Sequence, residues 1–116
     1  MQGMRTLFHP AREELLLPQV LWALSDPLRL QILRELDTTN EAPCSAFYQG
    51  MAKSTLSHHL RVLREAGITR TRSAGTSLFI SLRREDLEAR FPGLLDAILR
   101  AYQISGEEKA QEAAPT

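Results

Sequence analysis

The sequence of 116 residues contains one cysteine, three histidines and no long apolar run. Its most apolar stretch, LLLPQVLWAL, is interrupted by Pro18 and Gln19, which argues against a membrane-spanning helix of about 20 residues. The N-terminus lacks the apolar segment of a secretion signal. The single Cys44 cannot form an internal disulfide, which fits a reducing compartment. We therefore expect a cytoplasmic, globular protein with one domain.

The sequence also lacks an excess of charge of either sign, because 14 basic residues balance 14 acidic ones. These charges are unevenly distributed along the chain. Residues 53–84 contain seven basic residues and a single acidic one, Glu65, whereas the segments on either side are net acidic. A solvated charged face usually mixes the two signs. A block with net charge +6 inside a neutral chain instead indicates a surface that attracts a polyanion.

Apolar periodicity predicts two helices in the first third of the chain. The first covers about residues 17–24, where leucine and valine recur at helical spacing. The second lies in SDPLRLQILREL, where Ser25 or Asp26 can cap the helix and Pro27 suits its first turn. The following TTNEAP is expected to be a loop, and CSAFYQ a short helix that ends at Gly50.

The middle of the chain predicts a longer helix followed by a β-hairpin. The helix spans residues 53–66 and stops at Gly67. The strand-like runs ITRTR and SLFISL, joined by SAGT, give a hairpin over residues 70–82. A last helix is expected to start near Pro92. This order predicts a fold that is mainly α with one β-hairpin, a winged helix-turn-helix.

The two ends of the chain are expected to lie outside this fold. We expect residues 1–13 to form a flexible N-terminal arm and residues 14–105 to form the folded domain. The polar, alanine-rich residues 106–116 predict a disordered C-terminal tail.

The helix 53–66 has an apolar and a polar face. Leu56, Leu60 and Leu63 recur at the spacing of a buried stripe. The other face carries short polar and basic side chains, which suit base edges and phosphates in a major groove: Lys53, Ser54, Thr55, Ser57, His58 and Arg61. Arg61 or Lys53 is the candidate for a guanine contact. The N-terminus of such a helix also favours a phosphate.

The hairpin predicts a second, less selective contact with DNA. Arginines flank both of its strands, and its SAGT tip is small enough to lie along a minor groove or the backbone. The candidate residues are Arg72, Gly75 and Thr76. Contacts of this kind contribute affinity and salt dependence more than sequence choice.

The adjacent His58 and His59 do not predict a metal or catalytic site. Neighbouring residues on a helix point about 100° apart, so the two rings cannot converge on one ion. No carboxylate is placed to orient either imidazole for nucleophilic catalysis. We expect His58 on the polar face and His59 at its edge, and we expect neither a cofactor nor enzymatic activity.

From Val20 to Tyr102 the sequence resembles the ArsR (arsenic-repressor-type) family of bacterial winged-helix regulators. ALSDPLRLQILREL resembles the second helix of that family, and KSTLSHHLRVLREAGITRTRSAGTSLFISL resembles its recognition helix and wing. The resemblance implies a homodimer paired through the first and last helices. It also implies repression from an inverted-repeat operator in promoter DNA, relieved by an effector. The wide apolar stripe of the last helix, FPGLLDAILRAY, independently favours a dimer.

The sequence departs from the metal-sensing members of that family. They carry a C-x-C pair before the recognition helix, or Asp, His and Glu ligands on the last helix. Here Cys44 stands alone and the last helix has no histidine. Two alternatives stay open: a metal- or thiol-responsive sensor that uses Cys44, and a winged-helix protein-interaction module without DNA binding. The effector is not identified by the sequence.

Overall fold

The computed structural model describes residues 7–48 and 50–113, which form five α-helices and a small antiparallel sheet. The helices are α1 (Leu17–Ala23), α2 (Pro27–Asp37), α3 (Lys53–Glu65), α4 (Arg84–Arg90) and α5 (Leu94–Ala113). The strands are β1 (Ala42–Pro43), β2 (Thr69–Ala74) and β3 (Ser77–Leu82). The predicted winged helix-turn-helix is confirmed. None of the described helices is both long and apolar enough to cross a membrane.

Helix α2 begins as its sequence predicts. The Asp26 carboxylate accepts hydrogen bonds from the backbone N–H groups of Leu28 and Arg29, at 2.8 and 3.2 Å. Pro27 occupies the first turn, where its missing N–H is not needed. The buried face of α2 includes Ile32 and Leu36, which belong to the hydrophobic core. The cap and the apolar stripe together fix where the helix starts and which side faces inward.

The sheet has the order β1-β3-β2, and all neighbouring strands are antiparallel. The hairpin of β2 and β3 was predicted, whereas β1 lies in a segment that was expected to be a loop. Its two residues contain a proline, and they pair with Phe79 and Ile80 of β3. The predicted helix after it is a short 3-10 turn, Cys44–Phe47, in which Phe47 is buried.

Gly67 joins the end of α3 to the start of β2. Its φ angle of +85° lies in the left-handed region, which costs glycine least. A Cβ atom at this position would lie 1.9 Å from Cδ2 of Leu15, which is itself fully buried. The chain therefore needs glycine here both for its conformation and for close packing.

The C-terminal part differs from its prediction in two ways. Residues 84–90 form α4, which buries Leu87 but was not predicted as a helix. The last helix starts at Leu94, after Gly93 at φ +82°, and continues to Ala113. The tail expected to be disordered from residue 106 is therefore helical through residue 113, and residues 114–116 lie outside the described part. Its alanine and glutamate residues are good helix formers.

The N-terminal arm also differs from its prediction, because residues 7–13 are held against the domain. The backbone N–H of Thr71 donates to Nε2 of His9 at 3.0 Å, and Nη1 of Arg83 donates to the carbonyl of Pro10 at 2.8 Å. Residues 12–14 form a 3-10 turn. Residues 1–6 of the predicted arm lie outside the described residues. The attachment could not be read from the sequence because its partners lie more than 50 residues away.

Candidate nucleic-acid interface

Helix α3 is held in place by the apolar face that its sequence predicts. Leu56 and Leu63 are completely buried, and Leu60 is nearly so. They belong to the same core as the buried residues of α2, and α3 is in contact with both α2 and β2. An amphipathic helix fixed on one side presents its opposite side to solvent. This arrangement determines which residues of α3 can contact a partner.

All six recognition-helix residues predicted to contact DNA are exposed on α3: Lys53, Ser54, Thr55, Ser57, His58 and Arg61. Four of them, together with Arg64, line one shallow groove. Arg64 was not among the predicted residues, although its position three residues after Arg61 continues the same stripe. Its Nε donates to the carbonyl of Phe8 at 3.2 Å, so the groove adjoins the N-terminal arm.

The N-terminus of α3 is open to an anion. The residue before its first turn is Ala52, whose side chain cannot cap the helix. The first amides of a helix carry a partial positive charge and lack partners within the helix. The exposed Lys53 stands in the first turn beside them. Backbone and side chain thus combine into a position suited to a phosphate group.

The wing extends this surface beyond the helix. Gly75 and Thr76 form the two-residue turn between β2 and β3, and Gly75 has a φ of +62°. Both residues are exposed. Thr76 lines the same groove as Lys53 of α3. The structure therefore brings the tip of the wing next to the start of the recognition helix.

Each arginine that flanks the wing lies within ion-pair distance of a carboxylate, and Arg70 and Arg83 share one. The ion pairs are Arg72 with Glu41, Arg70 and Arg83 with Asp86, and Arg84 with Asp37. Among the side chains that the structure describes, those of residues 7–48 and 50–106, Lys53 and Arg61 have no ion-pair partner. The +6 block read along the sequence is therefore not a +6 surface. Its unpaired charge is concentrated on the recognition helix.

Two of these carboxylates have lowered pKa values, and arginine is the main cause in each case. The hydrogen bonds from Arg72 hold the pKa of Glu41 below its ordinary value. The pKa of Asp86 is lowered first by its hydrogen bond with Arg12 and then by the bond with Arg83. Both carboxylates thus stay ionised near neutral pH and keep their arginines paired.

The two neighbouring histidines of α3 occupy different environments. His58 is exposed, whereas His59 is half-buried and its Nδ1 lies 3.0 Å from Nη1 of Arg29. Arginine can only donate, so Nδ1 of His59 accepts. Arg29 is 6% exposed, and its Nε also donates to the carbonyl of Ala23 at 2.5 Å. Arg29 thus connects His59 of the recognition helix to the end of α1, and the exposed His58 faces solvent.

The described residues contain no cluster of three or more His, Cys, Asp or Glu side chains placed to hold a metal ion. Cys44, the candidate redox residue, is half-buried beside the core. Burial raises the pKa of its thiol, and a hydrogen bond with Tyr48 opposes this only in part. Burial therefore disfavours the thiolate form that a redox role of Cys44 would need.

Comparison with known proteins gives the same picture of the fold. Residues 24–72 match a family described as a helix-turn-helix domain. The chain is 36% identical over 83 residues to the uncharacterized HTH-type transcriptional regulator YceK of Bacillus subtilis (strain 168), which is 69% of this chain and 83% of that protein.

Solved structures show the same architecture. The transcriptional repressor BigR from Xylella fastidiosa is 32% identical with a TM-score of 0.58, over 73% of this chain and 84% of that one. An ArsR family transcriptional regulator has a TM-score of 0.58 at 22% identity, over 84% of this chain and 98% of that one. At 22% identity, the similarity to this ArsR family regulator supports only the fold.

Proposed function

The chain belongs to the HTH-type transcriptional regulators and has the winged helix-turn-helix fold found in an ArsR family member, and from this premise we propose its mode of action. It acts as a homodimeric repressor in the cytoplasm. It binds an inverted-repeat operator in double-stranded promoter DNA through recognition helix 53–66 and wing 70–82. It is a regulator and not an enzyme.

The observation that carries this proposal is the exposed polar face of α3. Arg61 and Lys53 are cations without an acidic partner among the described residues, on a helix whose other face is anchored in the core. A recognition helix requires this combination, because base edges must be reached by side chains on a rigid support. The hydroxyl groups of Ser54 and Ser57 can donate and accept on bases or phosphates without blocking a close approach.

The dimer is supported by apolar side chains that a monomer leaves in water. Leu21 and Trp22 of α1 are 46% and 60% exposed, and Ile104 of α5 is 50% exposed. An apolar groove between these two helices is lined by residues that include Leu21, Ile98 and Tyr102. Pairing through α1 and α5 would cover this surface. Two recognition helices related by a two-fold axis then match two half-sites about 34 Å apart.

The repressor role follows the similarity to the Xylella fastidiosa protein, whose name states that activity. A dimer bound to promoter DNA blocks the access of RNA polymerase sterically, so repression needs no catalytic activity. An effector that released the dimer would need to weaken either the α1–α5 pairing or the support of α3.

Binding to the DNA upstream of the protein's own coding sequence tests the proposal. We expect a dimer by mass measurement, and tighter binding to that fragment than to random duplex DNA at each salt concentration. Arg61→Ala should weaken binding to the specific fragment by about 1–3 kcal/mol. Arg34→Ala is the matched control, because Arg34 is also exposed but lies on α2, outside the recognition helix and wing.

Two results would count against the proposal. A protein that binds no duplex DNA at any salt concentration would favour the alternative of a protein-interaction module. Equal losses for Arg61→Ala and Arg34→Ala would show that the exposed face of α3 is not the reading surface.

A further inference from the structure

The most complete ion pair on the wing joins Arg72 to Glu41. Nη2 and Nε of Arg72 donate to Oε1 and Oε2 of Glu41 at 2.8 and 3.0 Å, a two-pronged contact that matches the shape of both groups. The guanidinium carbon also lies 4.9 Å from the centre of the Phe79 ring. Arg72 is therefore held on two sides, although more than half of its side chain is exposed.

The short strand β1 brings Glu41 to this position. Pro43 pairs with Phe79, and Phe79 pairs with Arg72, so the three side chains lie in one row across the sheet. Glu41 is two residues before Pro43 and so points to the same side. This side is the outer one, since the alternate residues Thr71 and Ile80 are buried. The main chain thus presents a carboxylate to the wing from 31 residues away.

A carboxylate in this place competes with DNA. Arg72 was predicted to contact DNA, and the guanidinium fork that Glu41 occupies is also the geometry that binds a phosphate group. The same fork cannot form both two-pronged contacts at once. Glu41 is ionised at neutral pH, as carboxyl groups ordinarily are, and Arg72 lowers its pKa further.

We propose that Glu41 is the internal counter-ion of the wing: it competes with DNA phosphate for Arg72 and thereby limits the sequence-independent part of the affinity. The inference rests on the proposed DNA-binding function and names a residue that tunes it. A regulator gains from such a limit, because non-operator DNA is present in large excess over its operator. The cations of the recognition helix have no such competing carboxylate among the described residues, so their contribution to DNA affinity is not reduced.

The test is the salt dependence of binding to random duplex DNA, measured by fluorescence anisotropy with the full chain. Glu41→Gln keeps the size of the side chain and removes its charge. We expect it to tighten binding by about two- to fivefold at low salt. The slope of log affinity against log salt should also become steeper by about 0.9, the value for one additional phosphate contact.

Two further variants separate this effect from a general change in charge. Asp37→Asn adds the same net charge but frees Arg84, at the start of α4 and outside the hairpin. It should tighten binding less and leave the slope nearly unchanged. In an Arg72→Gln background, Glu41→Gln should lose most of its effect, because the arginine that it releases is absent.

The outcomes are distinguishable from those of the parent proposal. A wild-type protein that binds no DNA would overturn the proposed function and this inference together. A wild-type protein that binds DNA while Glu41→Gln changes neither affinity nor slope would overturn the inference alone. An equal effect of Glu41→Gln with and without Arg72 would also overturn it, since the carboxylate would then act only by repelling DNA.

Discussion

The recognition helix and the wing carry similar numbers of basic residues but display them differently. On α3, Lys53 and Arg61 point to solvent with no acidic partner among the described residues. On the hairpin, Arg70 and Arg72 each face a carboxylate. Charge counted along a sequence is therefore a poor measure of charge offered to a partner, because folding brings in counter-ions from distant segments.

The difference indicates that the helix and the wing contribute differently to DNA binding. Contacts from an anchored helix to base edges supply sequence choice, whereas contacts from a wing to phosphates supply affinity for any duplex. Pairing the wing arginines with carboxylates weakens only the phosphate contacts and leaves the base contacts of the helix unchanged.

The largest effect is expected at Gly67, where the recognition helix ends and the wing begins. Gly67→Ala combines a strained left-handed conformation with a clash against the buried Leu15. We expect the free energy of unfolding to fall by about 2–5 kcal/mol, from backbone strain together with overpacking. Urea unfolding followed by circular dichroism measures this loss.

Gly75→Ala is the matched control at the tip of the wing. Its φ is +62°, but a Cβ atom there meets nothing within 4 Å. Only the conformational cost remains, about 1–2 kcal/mol. If both substitutions cost the same, then close packing at Gly67 is not what joins the two regions.

The sequence predicted the parts of the fold that local signals determine. Asp26 and Pro27 mark the start of α2, and Gly67 marks the end of α3, because caps and glycine act within one turn. The stripe of Leu56, Leu60 and Leu63 placed one face of α3 in the core. The exposed residues of the candidate interface were then found as the opposite face.

The sequence could not predict features that depend on distant partners. Strand β1 is only two residues long and exists because β3 lies beside it. Helix α4 buries a single leucine, Leu87, so it has no stripe to detect. The pairing of Arg72 with Glu41 spans 31 residues, and no local pattern indicates it. The exposure of the candidate interface residues was thus predictable, whereas the ion pairing of the wing arginines was not.

A smaller effect is expected at Arg29 of α2, which supports the recognition helix through its hydrogen bond with His59. Its Nε bonds the carbonyl of Ala23 while its Nη1 bonds His59, so one guanidinium connects α1 to α3. In Arg29→Lys the single ammonium group cannot serve both acceptors in the same geometry. We expect a loss of about 1–2 kcal/mol in the free energy of unfolding, from one buried acceptor left unpaired.

The control for Arg29→Lys is Arg34→Lys, on the same helix. Arg34 is exposed, so its replacement should change stability by less than about 0.5 kcal/mol. Affinity for DNA should also fall in Arg29→Lys more than in the control if Arg29 orients α3. Equal stability and equal affinity of the two variants would remove Arg29 from this role.

The smallest effect is expected at His9, which holds the N-terminal arm against the edge of the wing. Its Nε2 accepts from the backbone N–H of Thr71 at 3.0 Å, and its Nδ1 donates to the carbonyl of Leu7 at 3.1 Å. Only the neutral ring with its proton on Nδ1 can make both bonds. Burial is the largest cause that lowers the pKa of His9 below 6.5, and nearby arginines act in the same direction.

The sign of the pH dependence follows from this lowered pKa. The unfolded chain binds a proton at His9 more readily than the folded one, so the stability that His9 contributes is complete above about pH 6.5 and is lost as the pH falls through the folded value.

His9→Gln does not titrate, and its melting temperature should therefore fall less than that of the wild type between pH 7 and pH 5. His58→Gln is the matched control: it removes a histidine that lies on α3, outside the N-terminal arm, and should not reproduce the effect of His9→Gln. If His9→Gln keeps the wild-type profile, protonation of His9 does not loosen the arm, and the edge of the wing is supported by other contacts such as that of Arg83 with Pro10.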